Sequence, residues 1–174
     1  MSKESVQLTK ASVEFLHSVL NSELATDVKK MRKINQVFRC LQGPYDAFHA
    51  EGKAIRDKYL EETEVRDQHN NVTKKLVIPA VKNEKYTDEM EKLSQEKTDI
   101  AFDRESLVVC KTTMENVFLR PQVKDGLSGQ KQLAMFEEIL EAVCKALGID
   151  IDTIETPKRA ATASADGGED TEEA

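Results

Sequence analysis

Apolar residues recur every three or four positions through the first third of the chain, the spacing of one face of an α-helix. This stripe consists of Val13, Leu16, Leu20, Leu24, Val28, Met31, Ile34, Phe38, Leu41, Tyr45, Phe48, Ile55 and Tyr59. It predicts one long helix from Thr9, whose hydroxyl can cap the first turn, to Glu62. At a rise of about 1.5 Å per residue this helix would be roughly 80 Å long, so we expect an elongated protein.

The dipeptide Gly43–Pro44 interrupts the stripe. Proline removes one helical hydrogen bond and clashes with the preceding turn, which predicts a kink or a break at this position. Because the stripe resumes at Tyr45 in nearly the same phase, we expect a kink between two helical segments, 9–42 and 45–62.

A polar cluster at 67–71 is followed by a β-branched run that Pro79 ends. This order predicts a β-hairpin at about 62–80. A second helix is predicted over 87–100, with Thr87 as its N-cap, and it is long enough to cover only the 45–62 part of the stripe.

A third helix is predicted over 128–147, where apolar residues again follow helical spacing and Gly148 provides a C-terminal cap. We expect this helix to cover the stripe from Val13 to Leu41. The segment 102–126 is predicted to be extended or mixed and to run along the groove between the helices.

The predicted fold is therefore mainly α, an elongated helical hairpin or coiled-coil-like bundle with one long kinked helix, a small β-hairpin and two shorter helices. We expect a flexible N-terminus at 1–8 and a single domain at 9–156. The last segment, 157–174, contains small and acidic residues and no large apolar residue, which predicts a disordered tail.

Composition and charge narrow the classes of partner and compartment. The net charge of −7 argues against a general nucleic-acid binder, and we interpret the basic cluster Lys29, Lys30, Arg32 and Lys33 as a solvated helix face. The sequence contains no continuous apolar run of transmembrane length and no signal-peptide core near Met1, so we expect a cytoplasmic protein without membrane contact.

The three cysteines, Cys40, Cys110 and Cys144, are far apart in the sequence and follow or lie in apolar stretches. Their odd number and spacing favour small buried side chains in a reducing compartment over a disulfide framework.

The sequence predicts neither an enzyme nor a cofactor site. Cys40 and His49 lie nine residues apart, about 180° around an ideal helix, and His17 lies further along the same predicted helix. His69 belongs to the polar turn. One alternative is a small ligand or metal ion at the hairpin, held by the residues Glu61, Glu64, Asp67 and His69.

Two apolar surfaces are candidates for partner binding. Two short helices cannot cover the whole stripe, so we expect residual apolar surface beside the kink, formed by Phe38, Leu41, Tyr45 and Phe48. Pairing of two copies through this patch predicts a homodimer. The edge of the hairpin could add a strand of a partner through the residues Val72, Leu76 and Ile78.

Four segments, "QLT", "SELATDVKKMRKINQVF", "YDAFHAEGKAIRDKYLEE" and "NEKYTDEMEKLSQEKTDIAF", together resemble a family of small accessory proteins of tailed bacteriophages. The resemblance covers about 8–102 and contains no invariant chemical motif. The chain departs from the family in its longer hairpin, "HNNVTKKLVIPAV", and its acidic tail. The resemblance implies a phage setting and a non-enzymatic role in a host cell, as an assembly accessory or a modulator of a host protein.

The order helix, β-hairpin, helix is also similar to the plan of prefoldin-like chaperone subunits. Those subunits need two long helices of similar length, whereas the predicted helix at 87–100 is short. We therefore keep this class as the alternative.

Overall fold

Two strands from distant parts of the chain pair at the base of the fold in the computed structural model, which describes residues 3–22, 28–66, 72–118 and 127–151. The described residues are mainly α-helical. Their elements are β1 (Lys3–Thr9), α1 (Lys10–Ser22), α2 (Val28–Tyr59), β2 (Glu61–Arg66), β3 (Val72–Val77), α3 (Ala80–Gln95), β4 (Lys97–Asp103), α4 (Arg104–Phe118) and α5 (Leu127–Leu147).

Strands β1 and β4 are antiparallel, with Val6 opposite Ile100 and Leu8 opposite Thr98. The predicted flexible N-terminus at 1–8 is therefore wrong from Lys3 onward, because alternate residues of β1 are buried against the helices. Together with α1, α4, α5 and the first half of α2, this sheet forms the part of the protein that we call the body. Its core contains Val6, Leu8, Val13, Leu16, Val19, Leu20, Ile34, Val37, Leu41, Ile100, Phe102, Leu107, Cys110, Met114, Phe136, Ile139, Leu140, Val143, Cys144 and Leu147.

The predicted single helix from Thr9 to Glu62 is wrong, because α1 ends at Ser22 and α2 begins at Val28. Helix α1 packs antiparallel to α2, and the ring of His17 stacks on that of Tyr45 with centroids 3.9 Å apart. The stripe keeps helical phase through both helices, so its spacing could not reveal the reversal. Leu24 lies outside the described residues.

Helix α2 continues through Gly43 and Pro44, so the predicted segments 9–42 and 45–62 do not exist as separate helices on either side of these residues. With 32 residues, α2 is about 48 Å long. Leu41 is the last residue of α2 in the core of the body, Tyr45 packs against that core, and Lys10 at the start of α1 pairs with Glu51. The end of α2 after Glu51 extends past α1.

Helix α3 begins at Ala80, seven residues before the predicted start. Thr87 lies inside this helix and donates a hydrogen bond from its hydroxyl to the carbonyl of Asn83, 2.9 Å away, so its predicted role as an N-cap is wrong. Ile100 belongs to β4 and is buried in the body. The predicted packing of the second helix on the 45–62 segment is confirmed, since α3 packs on the second half of α2.

The segment 102–126, predicted as extended or mixed, begins with the end of β4 and continues as helix α4 to Phe118. Asp103 caps α4, accepting a hydrogen bond from the backbone amide of Ser106 at 2.8 Å. Residues 119–126 and the predicted tail 157–174 lie outside the described residues.

The predicted third helix is confirmed as α5, which begins one residue earlier than expected. Gly148 has a φ of 69°, and the amide of Ile149 donates to the carbonyl of Cys144 at 2.9 Å, which closes the helix as predicted. Helix α5 packs on α1, α4 and β1. It covers the first part of the stripe, and α4 covers the first half of α2.

Candidate functional site

The second half of α2, helix α3 and the β2–β3 hairpin form a projection that we call the arm. Helical spacing places Phe48, Gly52 and Tyr59 on the face of α2 that contacts α3. Phe48 and Tyr59 are buried there, and Leu93 is the buried residue of α3. These three side chains do not belong to the core of the body, so the arm has a narrow core of its own.

A charged cluster joins the two helices at the end of the arm next to the hairpin. The hydroxyl of Tyr59 donates to a carboxylate oxygen of Glu89 at 2.7 Å, and the Nζ atom of Lys58 lies 2.7 Å from the same oxygen. The pKa of Glu89 is lowered because Lys58, and then Tyr59, donate hydrogen bonds to its carboxylate. The same carboxylate raises the pKa of Tyr59. This cluster joins the end of α2 to the middle of α3.

The hairpin itself is confirmed by the antiparallel pairing of β2 with β3, in which Glu62 lies opposite Leu76 and Glu64 opposite Lys74. All six residues of β3 are exposed, as are Glu61–Glu64 of β2. Within the described residues, β2 is the only strand that pairs with β3. The other edge of β3 therefore presents backbone groups without a strand partner.

Apolar side chains on this hairpin are unusually open to solvent. Val72 is 51 % exposed and Leu76 is 65 % exposed, while Val81, five residues after Leu76 at the start of α3, is 91 % exposed. Exposed ion pairs flank them: the Nζ atom of Lys74 lies 3.2 Å from a carboxylate oxygen of Glu62. Such exposed pairs contribute little to stability, so Lys74 remains available to a second carboxylate.

The two predicted partner surfaces have different outcomes. Leu41 is buried in the core of the body, and Phe48 is buried on the side of α2 that faces α3. Phe38 and Tyr45 are half-buried against the core, and His17 of α1 packs on both rings. The patch from which the homodimer was predicted is thus covered within one chain. On the hairpin, Val72 and Leu76 are exposed, whereas Ile78 is half-buried.

Reversal of the chain between α1 and α2 produces a histidine pair that the sequence prediction missed. The rings of His17 and His49 both contact that of Tyr45, with centroids 3.9 Å and 4.3 Å from the centroid of the tyrosine ring. Burial lowers the pKa of His17, and the neighbouring charge of His49 lowers it further, while Asp46 and Glu14 act in the opposite direction. The separation of these histidines along one long helix concealed their proximity.

An open cleft of about 900 Å³ lies between α1, α3 and α5, and His17 and Tyr45 line part of it. Its wall includes Glu138, whose carboxylate accepts hydrogen bonds from Thr9 and Ser12. A carboxylate that accepts these three hydrogen bonds joins α5 to the start of α1.

The cysteines occupy apolar surroundings, as predicted for Cys110 and Cys144, which are buried. Burial raises the pKa of the Cys110 thiol. Cys40 is half-buried, and burial raises its pKa as well. Raised pKa values favour the thiol over the reactive thiolate.

The proposed ligand set at the hairpin is only partly described. Glu61 and Glu64 are exposed, and Asp67 and His69 lie outside the described residues. Across the described ranges, no group of three or more His, Cys, Asp or Glu side chains is placed to hold a metal ion. None of the helices in the described residues is long and apolar enough to cross a membrane.

Comparison of the chain with protein-family models, with curated proteins and with solved structures found no match.

Proposed function

We propose that this chain is a non-enzymatic phage-type protein that acts through protein–protein contact, and that the hairpin at the end of the arm holds the partner. In this proposal it works in the cytoplasm of the host cell, as an assembly accessory or as a modulator of a host protein. The body anchors the arm, and the arm presents the hairpin.

The exposure of β3 at the end of a stiff support is the observation that carries this proposal. From Glu51, which pairs with Lys10 at the start of α1, to Tyr59 the helix rises about 12 Å. Helix α3 and the cluster around Glu89 brace this length. A long exposed strand with apolar side chains is a liability that proteins ordinarily cover, so its position at the far end of the arm favours a role in binding.

A hairpin-dependent capture experiment tests the proposal. The tagged chain and a variant carrying Val72→Asp and Leu76→Asp are used as bait in infected or expressing cells. Both substituted side chains are exposed, so we expect the fold to be retained. The partner should be recovered with the parent chain and lost with the double variant.

Val108→Asp is the matched control, because Val108 is 49 % exposed on α4, close to the 51 % of Val72, but belongs to the body. This control should recover the partner as well as the parent chain does. Equal recovery by all three baits would contradict the proposal, as would loss of the partner with the Val108 variant alone.

A prefoldin-like chaperone subunit is the second candidate, and the order α2, β2–β3, α3 favours it. The 16 residues of α3 nearly equal the 45–59 part of α2 on which it packs, so the arm has helices of similar length. The prefoldin-like order of helix, hairpin and helix corresponds to the arm alone and does not include the body. If the arm holds unfolded chains, the protein should suppress aggregation of a denatured client, and the Val72→Asp, Leu76→Asp variant should do so less well.

A further inference from the structure

The hairpin differs in chemistry along its two strands. Strand β2 begins with the acidic residues Glu61, Glu62 and Glu64, whereas β3 carries Lys74 and Lys75 at its centre. Every one of these side chains is exposed. A segment that approaches the open edge of β3 therefore meets a different charge from one that approaches β2.

The register defines which side chains of β3 share a face. Because successive residues of a strand point to opposite faces, Val72, Lys74 and Leu76 lie on one face. Thr73, Lys75 and Val77 lie on the other. Each face thus has a lysine at its centre and an apolar side chain at the end next to α3.

On the paired edge of β3, strand β2 places acidic side chains next to Lys74. Glu64 lies directly opposite Lys74, and Glu62 lies diagonal to it with a 3.2 Å ion pair. Directly opposite side chains of unlike charge stabilise a strand pair, and like charges destabilise it. A strand added at the open edge would meet the same side chains of β3, Lys74 and Lys75 at the centre and apolar residues near the ends. Among the described residues, no strand pairs with this edge.

We infer that the partner contributes an extended segment that adds to the open edge of β3 as a third strand, with two adjacent acidic residues opposite Lys74 and Lys75 and apolar residues opposite Val72, Leu76 and Val77. This inference rests on the proposed function and specifies its binding mode. Backbone hydrogen bonds supply affinity in such strand addition, and the alternate side chains supply specificity.

The β2 edge is a poorer site for the same segment. Its first four residues are exposed and include three glutamates and no apolar side chain. An acidic strand would be repelled there. The open edge of β3 combines apolar side chains that are 38–65 % exposed, those of Val72, Leu76 and Val77, with positive charge.

The first test uses a labelled probe peptide, Ile-Val-Glu-Glu-Thr-Val, written in the direction antiparallel to β3. Its control is Ile-Val-Lys-Lys-Thr-Val, which keeps the length, the apolar residues and the strand propensity. Binding to the full chain is measured by fluorescence anisotropy at low salt. We expect the lysine peptide to bind about tenfold more weakly, and equal binding of both peptides would overturn the inference.

Charge changes on the protein provide the reciprocal test. The variant Lys74→Gln, Lys75→Gln should lose the preference for the acidic peptide, and Lys74→Glu, Lys75→Glu should reverse it. Circular dichroism verifies that each variant is folded. If the glutamate variant does not fold, the glutamine variant alone is sufficient for the test. A preference that is unchanged in the neutral variant would overturn the inference.

Backbone methylation separates strand addition from contact through side chains alone. Two versions of the acidic peptide carry N-methyl groups at alternate residues, in one phase or the other. A strand exposes alternate amides to each neighbour, so one phase should abolish binding and the other should retain it. Equal binding of both versions would mean that no ladder of hydrogen bonds forms.

Two further outcomes have defined meanings. Light scattering could give the mass of two chains for the protein alone and 19.6 kDa, the mass of one chain, once the acidic peptide is added. That result would mean that a second copy of the chain occupies the open edge of β3, and the assignment of this edge to a different partner would be wrong. If capture requires the hairpin but neither peptide binds, strand addition fails while the proposed function stands. Capture that does not require the hairpin defeats the proposed function itself.

Discussion

Glu138 of α5 is hydrogen-bonded to Thr9, the residue that precedes α1. Its carboxylate accepts one hydrogen bond from the backbone amide of Thr9 at 2.9 Å and another from the hydroxyl of Thr9 at 2.8 Å. The same carboxylate accepts a hydrogen bond from the buried hydroxyl of Ser12. The hydroxyl oxygen of Thr9 also accepts the amide of Ser12 at 3.3 Å, which confirms Thr9 as the cap of the first helix. One acidic side chain thus joins the end of β1, the start of α1 and the middle of α5.

Removal of this carboxylate should destabilise the body. We expect Glu138→Ala to lower the free energy of unfolding by about 2 kcal/mol, because it leaves donors of Thr9 and Ser12 without an acceptor. Chemical denaturation measures the change. Glu137→Ala, at the exposed neighbouring position of α5, is the control and should change stability by less than about 0.5 kcal/mol. Equal effects would mean that Glu138 does not hold α1.

The stability of the protein should depend on His17 in mildly acidic solution. The folded state lowers the pKa of His17, chiefly through burial, so below about pH 6.5 the unfolded chain takes up its proton first. Protonation therefore favours unfolding, and this contribution to stability is complete above the ordinary pKa and declines as the pH falls. The difference in unfolding free energy between the parent chain and His17→Gln should shrink from pH 7.5 to pH 5. A difference that does not vary with pH would contradict this account.

Gly52 faces Met90 and Leu93 of α3 across a gap that has room for a methyl group and no more. A Cβ atom there would lie 3.4 Å from the terminal methyl of Met90 and 3.9 Å from a methyl of Leu93. Met90 is flexible enough to yield, so Gly52→Ala should gain most of the helix propensity difference, roughly 0.5–1 kcal/mol. Gly52→Leu should instead lower stability by about 1–3 kcal/mol by forcing α3 away from α2. Similar melting temperatures for the two variants would show that α3 does not pack at this position.

Pro44 lies within α2, where it cannot donate a hydrogen bond to the carbonyl of Cys40. Pro44→Ala should raise the free energy of unfolding by about 1–2 kcal/mol, the helix gain less the entropy that proline removes from the unfolded chain. Gly43 makes the helical conformation before Pro44 less costly, because a Cβ atom on the residue before a proline would clash with the proline ring.

A double-mutant cycle tests this relationship between the two residues. Gly43→Ala should give no gain in the parent chain but about 1 kcal/mol in the Pro44→Ala background. Among the described residues, and leaving aside its chain neighbours and the backbone of its own helix, no atom lies within 4 Å of a Cβ atom placed at Gly43, so the comparison is a simple one. An equal gain in both backgrounds would contradict this role of Gly43.

Local patterns predicted those elements that depend on local signals. The hairpin and α5 follow from turn residues, β-branched residues and a closing glycine, and both are confirmed. The strand β1 was missed because its two buried residues, Val6 and Leu8, make too short an alternation to identify without its partner β4. Ile100 was assigned to a helix because apolar spacing alone does not separate a short strand from a helical turn.

Tertiary contacts determined the rest. Periodicity does not encode the reversal between α1 and α2, and this reversal places His17 on Phe38 and Tyr45 and brings it near His49. The hairpin could be anticipated as a candidate site, because exposure of Val72 and Leu76 follows from a two-stranded sheet with charged partners. That α3 begins at Ala80 and packs on α2 required the structure.

Site-specific photo-cross-linking tests the central claim, that the hairpin holds the partner, most directly. A photoreactive amino acid replaces Leu76 in one version of the chain and Val108 in another, and both versions are irradiated in infected or expressing cells. Both positions are exposed, at 65 % and 49 %, but only Leu76 lies on the hairpin. The account predicts a cross-linked partner from position 76 and little or none from position 108. Equal yields from both positions, or a cross-link from position 108 alone, would contradict it.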